Sequence, residues 1–267
     1  MLRNITIGQY LKTDSPIHKL NPRIKIIIVV LYMVSIFLVT NFTQYIPIVL
    51  ALGLICYIAK IPVSYILKGI KPLRFIIILT FLINALTADG RILFSFWIFD
   101  VTKEGLIRAS FMAIRLVLLV VGTSLLTLTT SPTELTQGLE KIFSPLKKIG
   151  FPAHEIAMML TIALRFIPTL IEETDKIMKA QKSRGADFES GNVLNRAKNL
   201  IPLLVPLFIN SLRRADDLAV AMESRCYRGG EGRTSLKDYS LGQKDFLALA
   251  ICLTFFLIVI IGGRVLL

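Results

Sequence analysis

Residues 164–188 read LRFIPTLIEETDKIMKAQKSRGADF, and residues 211–234 read SLRRADDLAVAMESRCYRGGEGRT. Both stretches place apolar residues at helical spacing opposite a charged face, so each predicts an amphipathic helix. Each helix then ends on a small residue, an arginine and another small residue: Ser183-Arg184-Gly185 and Ser224-Arg225-Cys226. This repetition within one chain predicts that the two helix ends serve the same role.

The composition around these helices is that of a membrane protein. The chain has 267 residues, of which 54% are hydrophobic, and its mean hydropathy is +0.67. Soluble domains are less apolar, and long uncharged runs are typical of membrane spans. The net charge of +13 lies beside the apolar runs, where the positive-inside rule expects it, and this placement argues against a nucleic-acid-binding protein.

Five apolar runs predict an all-α membrane protein with about five transmembrane helices, four N-terminal and one C-terminal. The runs cover residues 24–40, 46–59, 73–86, 106–130 and 246–263. We therefore expect a membrane domain over residues 1–130, a coupling domain of long amphipathic helices over 131–244, and a final transmembrane helix over 245–267. The segment before the first run and the segment between the second and third runs are basic, and the positive-inside rule places such segments in the cytoplasm. This predicts a cell-membrane protein whose N-terminus and coupling domain are cytoplasmic and whose C-terminus is outside.

Local signals organise the region between the fourth and fifth runs. Ser131-Pro132-Thr133-Glu134 predicts a helix start, with serine as N-cap, proline at the first helical position and glutamate at the third. The apolar residues 158–167 include Arg165, so we expect this segment to lie at the membrane interface rather than to cross. Pro202 and Pro206 each remove a backbone donor and should bend or interrupt their helix.

The apolar faces of the two long helices are candidates for contact with a moving partner, because packing between apolar surfaces has no fixed direction. These candidate residues are Ile171, Met178, Leu212, Ala215, Ala219 and Met222. On the opposite faces, acids and bases four residues apart predict ion pairs within each helix. The pairs are Glu172 with Lys176, Asp175 with Lys179, and Arg213 with Asp217.

The two arginines admit two interpretations. A cation in the last turn of a helix interacts favourably with the helix dipole, and Gly185 is a natural residue to follow a helix end. Two matching ends favour a second interpretation. Small neighbours leave a planar guanidinium accessible to a carboxylate or carbonyl group of a partner.

These stretches resemble the transmembrane T component of energy-coupling factor (ECF) vitamin transporters. The match rests on the two quoted helices, and the arrangement of four spans plus one extends it over nearly the whole chain. In that family, X-Arg-X motifs at the ends of coupling helices dock into two ABC-type ATPase subunits. The resemblance implies that Arg184 and Arg225 are these anchors, flanked by Ser183, Gly185, Ser224 and Cys226. This chain departs from the family in having serine before each arginine, where alanine is common, and Cys226, where glycine is common.

The resemblance also implies the partners and the mechanism. ATP-driven closure of the ATPases would move the coupling helices, and these would reorient a separate substrate-binding S component for uptake of a vitamin or another micronutrient. A subunit dedicated to one substrate, such as cobalt, nickel or biotin, stays open. No G-x-x-x-x-G-K-[ST] motif occurs, so ATP and magnesium are expected on the partners, and neither a catalytic site nor a cofactor or metal site is expected on this chain.

The residues alone argue against two other classes of membrane protein. A stand-alone secondary transporter would carry internal repeats with embedded ionisable residues, and a membrane enzyme would carry clustered acids or histidines. The sequence shows neither pattern. Arg115 lies within the fourth apolar run, and the sequence leaves open whether it pairs with internal carbonyl groups or takes part in coupling.

Overall fold

The computed structural model describes residues 10–87, 92–96, 99–188, 192–230 and 241–265. Nearly all of this part of the chain is helical, as predicted. The elements in chain order are α1 (Pro22–Leu38), α2 (Tyr45–Ala59), α3 (Val63–Ile70), α4 (Arg74–Thr87), β1 (Ile92–Phe96), β2 (Phe99–Thr102), α5 (Lys103–Thr129), α6 (Pro132–Phe143), α7 (Ala153–Ser183), α8 (Val193–Ser224) and α9 (Gln243–Val265).

The chain divides into two compact units. Of the described residues, those from 10 to 139 and from 241 onward form the apolar unit, and those from 140 to 230 form the helix-pair unit. Each predicted apolar run is a helix, and α6 begins with the expected capping box. The Glu134 backbone N–H donates to Ser131 Oγ at 3.3 Å, and the Ser131 N–H donates to the Glu134 carboxylate at 3.1 Å. The short helix α3 and the antiparallel hairpin β1–β2 are elements that the sequence analysis missed.

Three helical segments of the described ranges are long and apolar enough to cross a membrane. They are Phe42–Ala59, Lys103–Thr129 and Ala153–Ser183. The third includes residues 158–167, which belong to the 31-residue helix α7. This helix is long and apolar enough to span, and our expectation that residues 158–167 lie at the interface rather than cross stays a prediction. The count of five spans stays a prediction.

Close packing of α1 against α5 forms the centre of the apolar unit. The Tyr32 hydroxyl donates to the carbonyl of Leu118 at 2.7 Å, so a buried phenol is satisfied by the backbone of the neighbouring helix. Gly122 lies directly beneath the tyrosine ring, and a Cβ there would come within 2.1 Å of Tyr32 Cε1. Glycine is therefore required at this contact for steric reasons.

The turn between α1 and α2 is tied to two other helices. Gln44 accepts the backbone N–H groups of Thr40 and Asn41 at 2.9 and 3.0 Å. It also donates to the carbonyl of Val259 in α9 at 3.0 Å. From α5, Arg115 Nη2 donates to the carbonyl of Val39 at 2.8 Å.

The surroundings of Arg115 bear on the question that the sequence left open. Its guanidinium lies 4.8 Å from the centre of the Phe111 ring, within the range of a cation–π interaction. The Val39 carbonyl lies just beyond the last residue of α1, where a cation also interacts favourably with the helix dipole. The geometry thus favours the structural role, in which Arg115 pairs with an internal carbonyl group.

A buried polar cluster joins the opposite ends of the same helices. Lys25 is 5% exposed, and its Nζ donates to the carbonyls of His18 at 2.9 Å and Thr129 at 3.0 Å. Asp245 accepts the backbone N–H groups of Asn21 at 2.8 Å and of Gly242 at 3.0 Å. These bonds fix the lead-in segment against the end of α5 and the start of α9.

Candidate functional site

Helices α7 and α8 form an antiparallel pair in the helix-pair unit. Near the end of α7, Gln181 Nε2 donates to the carbonyl of Pro202 at 3.4 Å. Two turns earlier in α7, Glu173 pairs with Arg214 at 2.8 Å, farther along α8. The earlier contact residue in α7 thus pairs with the later one in α8, which shows that the two helices are antiparallel. Their C-terminal ends therefore lie at opposite ends of the pair.

Helix α8 is continuous through Pro202 and Pro206, so neither proline interrupts it, and the bend that they were expected to cause stays a prediction. A proline leaves the carbonyl four residues earlier without its helical donor. For Pro206 that carbonyl is Pro202 O, and it accepts the side-chain amide of Gln181 from α7. A neighbouring helix thus supplies a hydrogen bond that α8 cannot make for itself.

The first arginine motif is the end of α7. The N–H of Gly185 donates to the carbonyl of Lys182 and the N–H of Ala186 to the carbonyl of Gln181, each at 3.0 Å. These two bonds define a Schellman motif. Its residue after the cap must be left-handed, and Gly185 has φ +86°. Arg184 is therefore the C-cap residue, held at the turn itself.

The second motif repeats these bonds at the end of α8. The N–H of Cys226 donates to the carbonyl of Glu223 at 2.8 Å, and the N–H of Tyr227 to the carbonyl of Met222 at 3.0 Å. Arg225 is the C-cap residue, and Cys226 takes the left-handed position with φ +58°. Cys226 thus has the same left-handed backbone as Gly185, although residues with a side chain disfavour this conformation.

Both arginines are exposed, as are Ser183, Gly185, Ser224 and Cys226 beside them. Within the described residues, neither guanidinium makes a hydrogen bond or an ion pair. Arg184 lies near the level of Pro202 in α8, and Arg225 ends α8 twenty-three positions later, about 34 Å at ideal helical rise. The pair of helices therefore presents two similar cationic turns at opposite ends.

The predicted contact residues divide between a groove and the surface. Ala215, Ala219 and Met222 of α8 line a groove of about 460 Å³ together with Phe166 and Leu170 of α7. Leu212 lies outside it and is half exposed. Ile171 and Met178 of α7 are partly buried. Ala215 and Ala219 are exposed, as Leu212 is, so the predicted contact of this face with a partner stays a prediction.

The ion pairs predicted within each helix do not form. In the described ranges no pair joins Glu172 to Lys176, Asp175 to Lys179 or Arg213 to Asp217. Glu173, which the sequence analysis assigned to no pair, pairs across the interface with Arg214 at 2.8 Å and accepts a hydrogen bond from Asn210. The partner of Glu173 lies on another helix, and the spacing of residues within one helix cannot predict it.

The two positions after the arginines yield a matched stability prediction. Cys226→Gly should stabilise the end of α8 by about 1 kcal/mol or less, because glycine adopts a positive φ without steric cost. Gly185→Val should destabilise the end of α7 by more than about 1 kcal/mol, because a β-branched residue is strained there. Thermal unfolding of the purified chain measures both changes. Equal shifts of the same sign would contradict the assignment of the two caps.

Sequence comparison places this arrangement in a known family. A family model described as CbiQ, cobalt transport protein, matches residues 13–236. The Clostridium kluyveri protein named energy-coupling factor transporter transmembrane protein EcfT is 56% identical over 250 residues, covering 93% of each chain. The Bacillus subtilis protein of the same name is 46% identical over 246 residues, covering 92% of this chain and 93% of its own. The chain belongs to the family of energy-coupling factor transporter transmembrane proteins.

Proposed function

We propose that this transmembrane component couples two ABC-type ATPase subunits to a substrate-binding S component, and that it does so for uptake of a vitamin or another micronutrient. The chain itself is a non-catalytic subunit, and ATP and magnesium bind to the ATPases. The two arginine turns lie on the cytoplasmic side, where they can reach those partners, and the C-terminus is outside.

The observation that carries the proposal is the matching geometry of the two arginine turns. Both are Schellman caps with the arginine as C-cap residue, both guanidiniums are exposed, and they lie at opposite ends of one antiparallel helix pair. The same pair of cap bonds also ends the helices before Lys60 and Gly150. Within the described residues, the two arginine turns differ from those ends in having an exposed arginine at the C-cap position. Two equal sites at opposite ends suit two copies or homologues of one partner.

Each turn has the chemistry of a docking point. A guanidinium offers five N–H donors in a planar fork, which suits a carboxylate or a set of backbone carbonyls on a partner. The left-handed residue reverses the chain directly after the arginine, so neighbouring backbone does not cover it. A rigid turn also reduces the entropy lost when the arginine becomes ordered in a complex.

The groove between α7 and α8 supports the transmission of movement. Its α8 wall includes Ala215, Ala219 and Met222 beside polar side chains such as Arg214. We expect the small or flexible apolar side chains to permit small shifts of one helix against the other, while the ion pair across the interface keeps the two helices joined. We propose that the exposed apolar residues of α8, including Leu212, contact the S component. Ile171 and Met178, which are partly buried, would hold α7 in place during this contact.

Co-purification with the ATPase pair tests the docking proposal. The full chain is co-expressed with both ATPases, and recovery of each ATPase is measured for wild type, Arg184→Glu and Arg225→Glu. Each single change should weaken recovery by about tenfold or more, because the loss of a charge-assisted contact is compounded by repulsion.

Arg213→Glu is the matched control, since Arg213 is exposed on α8 and the change in charge is the same. Recovery with this control should stay near that of wild type. Normal recovery with both single variants would mean that the arginines only cap their helices, and an equal loss with Arg213→Glu would mean that net charge alone governs assembly.

A further inference from the structure

The helix α3 lies beside the C-terminal ends of α2 and α5. A Cβ on Gly69 would lie 2.8 Å from Ser124 Oγ, five residues before the end of α5. The carbonyl of Ala59, the last residue of α2, accepts the Thr13 hydroxyl at 3.2 Å. The lead-in segment also bonds the end of α5, through the Leu11 N–H and the Leu128 carbonyl at 3.0 Å. These contacts place α3 at the end of the helices that faces the lead-in segment.

The two faces of α3 differ. Ile66 is 8% exposed and points into the apolar unit, as does the Gly69 contact with α5. Val63 and Leu67, one turn apart, are 65% and 59% exposed. An exposed apolar pair on a helix that lies where the spanning helices end is typical of a helix bound in the membrane interface.

Four cations surround this apolar pair, namely Lys60, Lys68, Lys71 and Arg74. All four are exposed, and none forms an ion pair in the described part of the chain. The sequence holds no Asp or Glu between Asp14 and Asp89, and Asp14 pairs with Lys19 at 2.8 Å. Lys19 lowers the pKa of the Asp14 carboxyl, and Lys60 does so more weakly, so this acid partly balances the charge of Lys60. In contrast, Lys68, Lys71 and Arg74 form no ion pair within the described residues.

Long cationic side chains can lay their methylene groups along apolar surface while the charge reaches the headgroup region. The Lys68 Nζ lies 5.1 Å from the centre of the Tyr65 ring, within the range of a cation–π interaction, so this cation is held beside the exposed apolar pair. An exposed apolar pair flanked by unpaired cations matches the acyl boundary and the anionic headgroups of a lipid leaflet.

We propose that α3 and its four flanking cations form a binding surface for anionic phospholipids, with Val63 and Leu67 in the acyl boundary and the cations on the lipid phosphates. The leaflet is the cytoplasmic one if the proposed orientation holds. The surface does not depend on ATPase docking, so the two proposals fail separately.

Lipid retention by the purified full chain tests this surface. The chain is equilibrated in mixed micelles that contain equal amounts of phosphatidylglycerol and phosphatidylcholine, and the retained lipids are quantified by mass spectrometry after gel filtration. Wild type should retain phosphatidylglycerol preferentially. Lys68→Gln with Lys71→Gln should lower that preference by about fivefold or more, since one cation near an anionic surface is worth about a fivefold change in binding. Added salt should lower the preference of wild type as well.

The matched control neutralises Lys103 and Arg108, which are exposed on α5 at its other end. This control should keep the preference of wild type. A second variant, Val63→Ser with Leu67→Ser, should lower retention of both lipids while leaving their ratio nearly unchanged. Because the ratio is measured within one sample, partial unfolding does not imitate the expected result.

Two outcomes would overturn the proposal. The first is an unchanged lipid preference in the Lys68 and Lys71 variant, and the second is an equal fall in the Lys103 and Arg108 control. If the first is accompanied by loss of another transporter subunit on co-purification, the surface belongs to a protein partner. Normal ATPase recovery by the α3 variants is expected and separates this test from that of the arginine turns.

Discussion

A chain that carries both Arg184→Glu and Arg225→Glu is expected to support no measurable uptake, although it still folds. Both side chains are exposed and lack described partners, so replacement removes no packing. A glutamate near a helix C-terminus opposes the dipole by about 0.3–1 kcal/mol, which is small beside the stability of a domain. The effect should therefore lie in assembly.

The size of the effect follows from linkage between the two turns. A lost charge-assisted contact costs about 2–5 kcal/mol, and a partner held at one turn keeps the other turn at an effective concentration in the millimolar range. A single variant therefore retains part of its assembly through the intact turn. The double variant loses this advantage and should fall below detection.

Uptake in cells that express the complete transporter is measured together with membrane levels of the variant chain. The matched double control is Lys176→Glu with Arg213→Glu, which reverses two exposed cations on the same two helices. This control should transport at a level near wild type. Uptake by the arginine double variant at an unchanged membrane level would exclude both turns as essential docking points.

Signals within one helix were sufficient to predict much of this structure. The capping box at Ser131 formed as expected, and the apolar runs became helices because a spanning segment must satisfy its own backbone hydrogen bonds. Gly185 was also predicted to follow a helix end. The matching left-handed turn at Cys226 was not predicted, because cysteine gives no turn signal of its own.

The features that the sequence analysis missed depend on a second helix. Gln181 supplies the bond that lets α8 continue through Pro206, and spacing within α8 contains no sign of that donor. Glu173 and its neighbour Glu172 looked alike in sequence, yet only Glu173 faces α8. Helix α3 is eight residues long and lies in a basic loop, too short for periodicity to separate it from its surroundings.

The Glu173–Arg214 ion pair leads to the second large expected effect, which is asymmetric. The Glu173 side chain is 14% exposed and that of Arg214 is 36% exposed. Arg214→Gln leaves a mostly buried carboxylate without its cation, whereas Glu173→Gln leaves a cation that can still reach water. Arg214→Gln should therefore destabilise the chain by about 2–3 kcal/mol, and Glu173→Gln by about 1 kcal/mol.

Function should be affected as well as stability, because this pair joins the two helices between their arginine turns. Either variant should still dock the ATPases, since each turn is built by its own helix, but movement of one helix should pass less effectively to the other. We expect uptake to fall by about tenfold or more while ATPase co-purification stays normal. Glu172→Gln, an exposed neighbour, is the control and should leave both unchanged.

A double-mutant cycle decides whether the ion pair itself is responsible. The free energy of unfolding and the uptake rate are measured for wild type, both single variants and the double variant Glu173→Gln with Arg214→Gln. The double variant should be more stable than Arg214→Gln alone, because the buried negative charge is gone. Additive losses would show that the two side chains act independently, and loss of ATPase recovery in either single variant would show that the pair supports the turns rather than transmission between them.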